Sequence, residues 1–257
     1  MPNSPIAYFG GKSRLAPAII KQIPRHTCYV EPFCGAAWVF FKKPESKVEV
    51  LNDRDNNIVN IYRVIQHHPE EFLRQFKTLL ISRKIFELMK RHDDECLTDI
   101  HRAVKWFYLL KQAFASIVTS NSAFGYSTSG FPRLNILDME SGVIDVHHRL
   151  ARVTIESLPY DDVLRRYDRP HTFFYLDPPY YGIKAYRFNF EPKDFERLAE
   201  VLAGLKGKFL MSINEHKVVR RIFRAFRIGT VATKYSSMNG RHWTRGRTAR
   251  ELLIRNY

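Results

Sequence analysis

Four consecutive residues, Asp177-Pro178-Pro179-Tyr180, carry the clearest chemistry in this chain. Asp177 offers carboxylate acceptors, and the carbonyl of residue 177 or 178 offers another. The two prolines add no N–H to compete with a donor arriving from a ligand. Tyr180 supplies a flat ring beside those acceptors. An aromatic face next to two acceptors suits a planar group bearing an NH2, such as the Watson–Crick edge of adenine. The plainer reading of the same residues is a strand-ending turn with a surface acid.

The elements that must position this tetrapeptide are legible around it. Phe173 to Leu176 is an apolar, aromatic run that reads as a buried strand. Pro178 stops it and holds Asp177 extended. The acid therefore leaves the C-terminal end of a strand, where open α/β sheets place their ligand crevices.

A second constellation lies upstream. Thr27 to Glu31 reads as a strand, Pro32-Phe33-Cys34-Gly35-Ala36-Ala37 as a small-residue turn, and Trp38 to Phe41 as a helix start. Lys47 to Leu51 is a second strand, ending at Asn52-Asp53. Asp53 stands 18 residues past Gly35, where an acid at the end of the second strand takes ribose hydroxyls. The Gly-x-Gly-x-x-Gly fingerprint is absent, which argues against a dinucleotide oxidoreductase and for a ligand with a ribose but no diphosphate. Before both comes Tyr8-Phe9-Gly10-Gly11-Lys12, a turn free to take positive φ, with a lysine able to reach a carboxylate or phosphate.

The formal net charge is +15, and 41 Lys and Arg face 26 acids. From Leu205 onward thirteen Lys and Arg face only Glu215 and Glu251. A sequence pI near 9.8 with clustered cations is the footprint of a polyanion binder. No run approaches the ~20 apolar residues of a membrane span, and the first residues lack a signal-peptide pattern. Three cysteines without a Cys-x-x-Cys pair speak for a reducing compartment and against a zinc site, so no metal is expected.

Residues 56–149 interrupt the strand–helix alternation. Asn56 to Val118 reads as helical, followed from Thr119 to Asn135 by a polar loop carrying Phe124, Tyr126, Phe131 and Arg133. Further along, Arg152 to Ser157, Lys208 to Ile213, Arg227 to Lys234 and Glu251 to Ile254 read as strands. Asp194 to Leu205 and Lys217 to Phe226 read as helices. Ser236 to Arg247, with Asn239-Gly240, is a hairpin signal.

With these residues in order, the chain resembles the adenine-specific DNA methyltransferases of the GATC-type, Asp-Pro-Pro-Tyr family. The matches are Phe9-Gly10-Gly11-Lys12, Glu31-Pro32-Phe33-Cys34-Gly35-Ala36, Asn52-Asp53, a helical insertion and Asp177-Pro178-Pro179-Tyr180. The closing hairpin and strand follow, so the likeness spans essentially the whole chain. It implies a Rossmann-like α/β methyltransferase fold: a mixed sheet, helices on both faces and an inserted helical target-recognition subdomain. Residues 1–55 and 150–257 would form the catalytic domain, and 56–149 would read DNA. It implies S-adenosylmethionine as methyl donor and N6-methyladenine in double-stranded DNA as product.

Carried over by position, Tyr8, Gly10, Gly11, Lys12, Glu31, Phe33, Gly35 and Asp53 would bind cofactor, and Asp177 would serve both cofactor and catalysis. Pro178, Pro179 and Tyr180 complete the catalytic turn. Tyr126, Arg133, Asn239, Arg241, Arg245 and Arg247 would contact DNA. A bacterial or phage-encoded, cytoplasmic, nucleoid-associated protein is expected, monomeric in solution, with a dimer on DNA as an alternative. The family's usual second glycine in the loop is Ala37 here, followed by Trp38, which predicts a repacked start of the helix. The rivals are an RNA adenine or DNA cytosine-N4 methyltransferase, or a catalytically silent DNA-binding protein on the same fold.

Overall fold

The apolar runs become seven strands in a computed structural model that describes residues 1–119, 121–130, 134–234 and 248–257. They are β1 (Cys28–Glu31), β2 (Val48–Asn52), β3 (Thr154–Glu156), β4 (Thr172–Leu176), β5 (Lys208–Asn214), β6 (Arg227–Lys234) and β7 (Thr248–Arg255). One sheet contains them in the order β3-β2-β1-β4-β5-β7-β6. The first five are parallel, and β7 runs antiparallel between β5 and β6. Strand order reverses between β1 and β4. A crevice therefore opens at the carboxyl ends of those two strands.

Ten helices cover the sheet among the described residues: α1 (Ala16–Ile20), α2 (Trp38–Lys42), α3 (Asn56–His67), α4 (Pro69–Phe76), α5 (Arg83–Arg91), α6 (Asp99–Gln112), α7 (Ile136–Leu150), α8 (Tyr160–Tyr167), α9 (Pro192–Ala203) and α10 (Lys217–Ile222). Alternation along β4 decides which face each side chain serves. Phe173 and Tyr175 join Tyr29 and Leu51 under α1 to α7, while Phe174 and Leu176 join Val30 and Val50 under α8 to α10. Each fully buried phenylalanine stabilises the sheet by about 1.5–3 kcal/mol. The mixed sheet with helices on both faces is as the sequence predicts.

Two helices lie where no element is expected. In α7 the stripe Ile136, Met139, Val143, Val146, Leu150 has helical spacing, but Gly142 and the His147-His148 doublet dilute it. In α8 only Val163 and Leu164 are buried, and the start signal is Pro159 with Asp161 and Asp162 in the first turn. The basic helix expected over 217–226 ends at Ile222. The helices of 56–149 do follow one another between β2 and β3. Their core is not separate, however: Tyr62, Phe72, Phe76, Phe107 and Val146 share one apolar cluster with Tyr29 and Phe173 of the sheet.

Candidate active site

The crevice between β1 and β4 contains a cavity of about 400 Å³. The turn after β4 forms one wall, with Asp177 and Pro179 lining it. The turn after β1 forms another, with Glu31, Phe33 and Gly35. Tyr8, Gly11 and Lys12 close it from the N-terminal segment, and Asp53 from the end of β2. Tyr8 and Asp177, 169 positions apart in the chain, thus meet in one space. Gly10 stands just behind, its carbonyl accepting from Lys12 Nζ at 3.0 Å.

Asp177 is held by three hydrogen bonds from two side chains. Lys12 Nζ donates to its two oxygens at 2.6 and 2.8 Å, and Ser212 Oγ of β5 reaches Oδ1 at 3.3 Å. The side chain keeps 21% exposure, on the cavity side. Burial pushes its pKa up to about 6; Lys12 opposes the rise, and the Glu251 carboxylate adds to it. At neutral pH the group is ionised yet close to its pKa.

Tyr180 is not the open platform that its position suggests. Its ring is 3% exposed, Lys12 Nζ lies over it 4.8 Å from the centroid, and its hydroxyl donates to Glu251 Oε1 at 2.6 Å. Tyr181 is occupied too, stacked on His216 at 4.6 Å. The rings that do face the cavity include Tyr8 and Tyr186, with centroids 6.2 Å apart. Pro178 is buried in the turn.

Backbone conformation explains the second turn. Gly35 has φ +45°, and a Cβ there would stand 3.0 Å from the Tyr8 ring. Its N–H donates to Asp53 Oδ2 at 2.8 Å, while Asp55 N–H donates to Oδ1 at 2.9 Å. Asp53 is thereby aimed along the cavity, and burial lifts its pKa to about 6 against those two bonds. Ala37 at the start of α2 adopts φ 49°, ψ 36°. Alanine here takes the left-handed conformation that glycine favours, at a cost of roughly 1–2 kcal/mol. Glu31 is buried, accepting from Tyr29 Oη and Phe40 N–H, and desolvation raises its pKa to about 8.

The far end of the cavity is the part least visible in the sequence. Phe33 packs against Tyr160 and Phe190, centroids 5.2 and 5.7 Å away. Tyr160 Oη is buried with no hydrogen-bond partner among the described residues. Arg197 of α9 pairs with Asp161 of α8 beside it. The available signals were the aromatic pair Phe188 and Phe190, soon after the Asp-Pro-Pro-Tyr turn, and the proline-initiated α8.

Of the residues expected to touch DNA, Tyr126 is described and stands 76% exposed. Arg83 of α5 lies over it and over Phe124, at 5.7 and 5.2 Å. The segment just before that loop passes the cleft, since Ser116 and Val118 line a small hollow with Tyr8 and Tyr186. Arg133, Asn239, Arg241, Arg245 and Arg247 lie outside the described residues, as does the expected hairpin.

The comparisons with known proteins agree with this geometry. A family model described as D12 class N6 adenine-specific DNA methyltransferase matches residues 8–237. The chain belongs to that family.

This D12-class enzyme is therefore a transferase that methylates the N6 position of adenine in DNA. It is 24% identical to the type II methyltransferase M.CviBI of Paramecium bursaria Chlorella virus NC1A, over 98% of each chain. It is 23% identical to the DNA adenine methylase of Escherichia coli K12, over 91% of this chain and 89% of that one. A solved SAM-dependent O-methyltransferase from Thermotoga maritima overlays with TM-score 0.41 at 8% identity, covering 95% of this chain and 64% of that chain. So loose an overlay adds nothing to the strand order. Among the described residues of the D12-class chain, no helix is long and apolar enough to cross a membrane, and no cluster of metal-ligating side chains is found.

Proposed function

We propose that the cavity binds S-adenosylmethionine and that Asp177, with the carbonyl of Pro178, accepts the two N–H bonds of an adenine flipped out of double-stranded DNA. The observation that carries this reading is the Asp177 carboxylate, placed in the same 400 Å³ space as Asp53 and Phe33. The residues present suit the donor. Asp53 lines the cavity as an acceptor for ribose hydroxyls, Phe33 and Phe190 offer faces to a purine, and Tyr160 Oη has no partner among the described residues, one that a polar ligand would supply. When bound, S-adenosylmethionine supplies an electrophilic methyl carbon on a positively charged sulfur.

The adenine amino nitrogen is a poor nucleophile because its lone pair is delocalised into the ring. Acceptance of both its hydrogens by Asp177 and the Pro178 carbonyl pulls the nitrogen toward tetrahedral geometry and localises that pair. With S-adenosylmethionine held by Asp53 and Phe33, the localised pair would be aimed at the methyl carbon, whose bond to nitrogen would form as its bond to sulfur broke with the electron pair left on sulfur. Asp177, with a pKa near 6, takes the proton the nitrogen releases. This is positioning and electrostatic stabilisation, without a covalent enzyme intermediate.

Extruding the base costs a few kcal/mol. Stacking in the pocket returns about 1–3 kcal/mol per base, through Tyr8 and Tyr186 rather than Tyr180 as placed here. The basic C-terminal third, with Arg241, Arg245 and Arg247, holds phosphates, and the 119–135 loop with Tyr126 reads the duplex beside the cleft. The protein works as a monomer in the DNA-containing cytoplasm of a bacterium or an infected cell.

The test is transfer of labelled methyl to DNA and to RNA, followed by digestion to nucleosides. N6-methyl-2′-deoxyadenosine from DNA, with no label in RNA, supports the reading. Label in RNA or on cytosine N4 would replace it, and no binding of S-adenosylmethionine in calorimetry would end it. Replacing Arg245 and Arg247 together should flatten the salt dependence of DNA binding by about two units of slope.

A further inference from the structure

Asp177 does not meet the cleft with its oxygens open. Both are taken by Lys12, at 2.6 and 2.8 Å. An adenine amino group is a neutral donor and a weaker partner than an ammonium. It can displace that ammonium only if Lys12 has somewhere else to place its charge. Lys12 is buried, so water is not the recipient. Among the described residues, one further carboxylate lies within reach of Lys12 Nζ: Glu251 Oε2, at 4.0 Å.

Glu251 occupies the middle of β7, opposite Asn214 of β5 and Val231 of β6, and is 0% exposed. Its other oxygen accepts from Tyr180 Oη at 2.6 Å, and Lys12 lies over that same ring. Glu251, Tyr180 and Lys12 thus close a ring of contacts behind the cavity, and Lys12 ties Asp177 to it. The strand backbone holds the glutamate, while the lysine stem is flexible. A shift of about 1 Å would bring the ammonium to hydrogen-bond length from Glu251.

We propose that Glu251 is a positioning residue for methyl transfer: it receives Lys12 as the adenine arrives and so frees Asp177 to accept the N6 hydrogens. The inference rests on the adenine-N6 reading above. Two carboxylates and one ammonium leave one net negative charge, which complements a positively charged sulfur at the cavity. The exchange keeps that net charge constant while moving it toward the reacting nitrogen.

The groups facing Asp177 define a sharp test. They are Lys12 from the N-terminal segment, Glu251 on β7, Ser212 on β5, Tyr175 on β4, Glu31 on β1 and Tyr186 from the following loop. Glu31, with a pKa near 8, is largely protonated at neutral pH. Glu251 is therefore the negative neighbour that adds to the burial-driven rise of the Asp177 pKa.

In Glu251→Gln, kcat should fall on the order of 10- to 100-fold, with KM for S-adenosylmethionine and DNA near wild type. The acid limb of its pH profile should move down by about one unit, because a like charge is removed. Tyr180→Phe removes the hydroxyl and keeps every charge, so its limb should stay in place. An unmoved limb or an unchanged kcat in Glu251→Gln would overturn the proposal.

A crystal structure of the wild-type protein with a non-reactive S-adenosylmethionine analogue and DNA decides the matter without any variant. Lys12 Nζ within about 3.2 Å of Glu251 and withdrawn from Asp177 supports the exchange. Lys12 still bidentate on Asp177 beside a flipped adenine refutes it. A wild type that methylates no adenine would instead undo the parent reading, so the two failures are distinguishable.

Discussion

Two buried ion clusters sit at opposite ends of the parallel strands, and they are built on opposite terms. Near the start of β2, Glu49 accepts from Arg149 at 2.5 and 2.9 Å, from Lys43 at 2.5 Å and from Ser46 N–H at 3.1 Å. Burial works against its charge, yet those bonds hold its pKa below the usual value. Just beyond the end of β4, Asp177 has one cation, which lies 4.0 Å from a second carboxylate, and its pKa rises to about 6. A carboxylate with two cations is a fixture of the fold. A carboxylate that competes for one cation keeps spare capacity for a ligand.

Breaking the catalytic cluster should produce the largest effect. Asp177→Ala is expected to lower methyl transfer by 10³-fold or more while the fold survives, since Glu251 remains to neutralise Lys12. Near-normal turnover in a labelled-methyl assay would remove Asp177 from the mechanism.

The matching change at the other end attacks stability instead. Glu49→Gln leaves Lys43 and Arg149 buried without their counter-charge, and unfolding free energy should drop by about 3–5 kcal/mol. Urea denaturation measures the drop, and turnover per folded molecule should stay within about twofold of wild type. A stability loss below about 1 kcal/mol would show that the two clusters do not differ in kind.

Their pH dependences should also run in opposite senses. The folded pKa of Asp177 is raised, so the native state binds more protons than the unfolded chain between roughly pH 4 and 6. Its contribution is full below that window and is lost as pH rises through it, by about 2–3 kcal/mol. Glu49 has a lowered folded pKa, so its contribution holds above the ordinary glutamate range and disappears as pH falls. Unfolding free energies of wild type minus Asp177→Asn, measured from pH 4 to 7, should decline with pH. A flat difference would place the Asp177 pKa at its unfolded value.

The smallest effect sharpens the comparison at the backbone. Ala37→Gly should relieve the left-handed strain at the start of α2 and raise stability by roughly 0.5–1 kcal/mol, after the added chain entropy is counted. A lowered melting temperature would mean that the alanine methyl packs well enough to outweigh its φ.

Legibility in the sequence followed the range of the interaction. Strand β4 and its proline stop were readable because burial and chain stiffness act on neighbours. The turn at Gly35 and its distance to Asp53 were readable for the same reason. Helix α7 was missed because its stripe is interrupted by Gly142 and a histidine doublet, and the sheet supplies the packing that the local pattern lacks. The Tyr180 ring reads as open from its place in the turn, and only the arrival of β7 brings Glu251 to its hydroxyl.

The sequence by itself determined which residues could do chemistry: an acid released by two prolines, a glycine turn, a ribose-facing acid and a basic tail. Tertiary structure decided the protonation and occupancy of that acid. Lys12 meets Asp177 across 165 residues, and Glu251 comes within reach through a strand inserted antiparallel between two others. Contacts between single charges so far apart leave no periodic mark in a chain. They become visible only when the sheet closes and water is excluded around them.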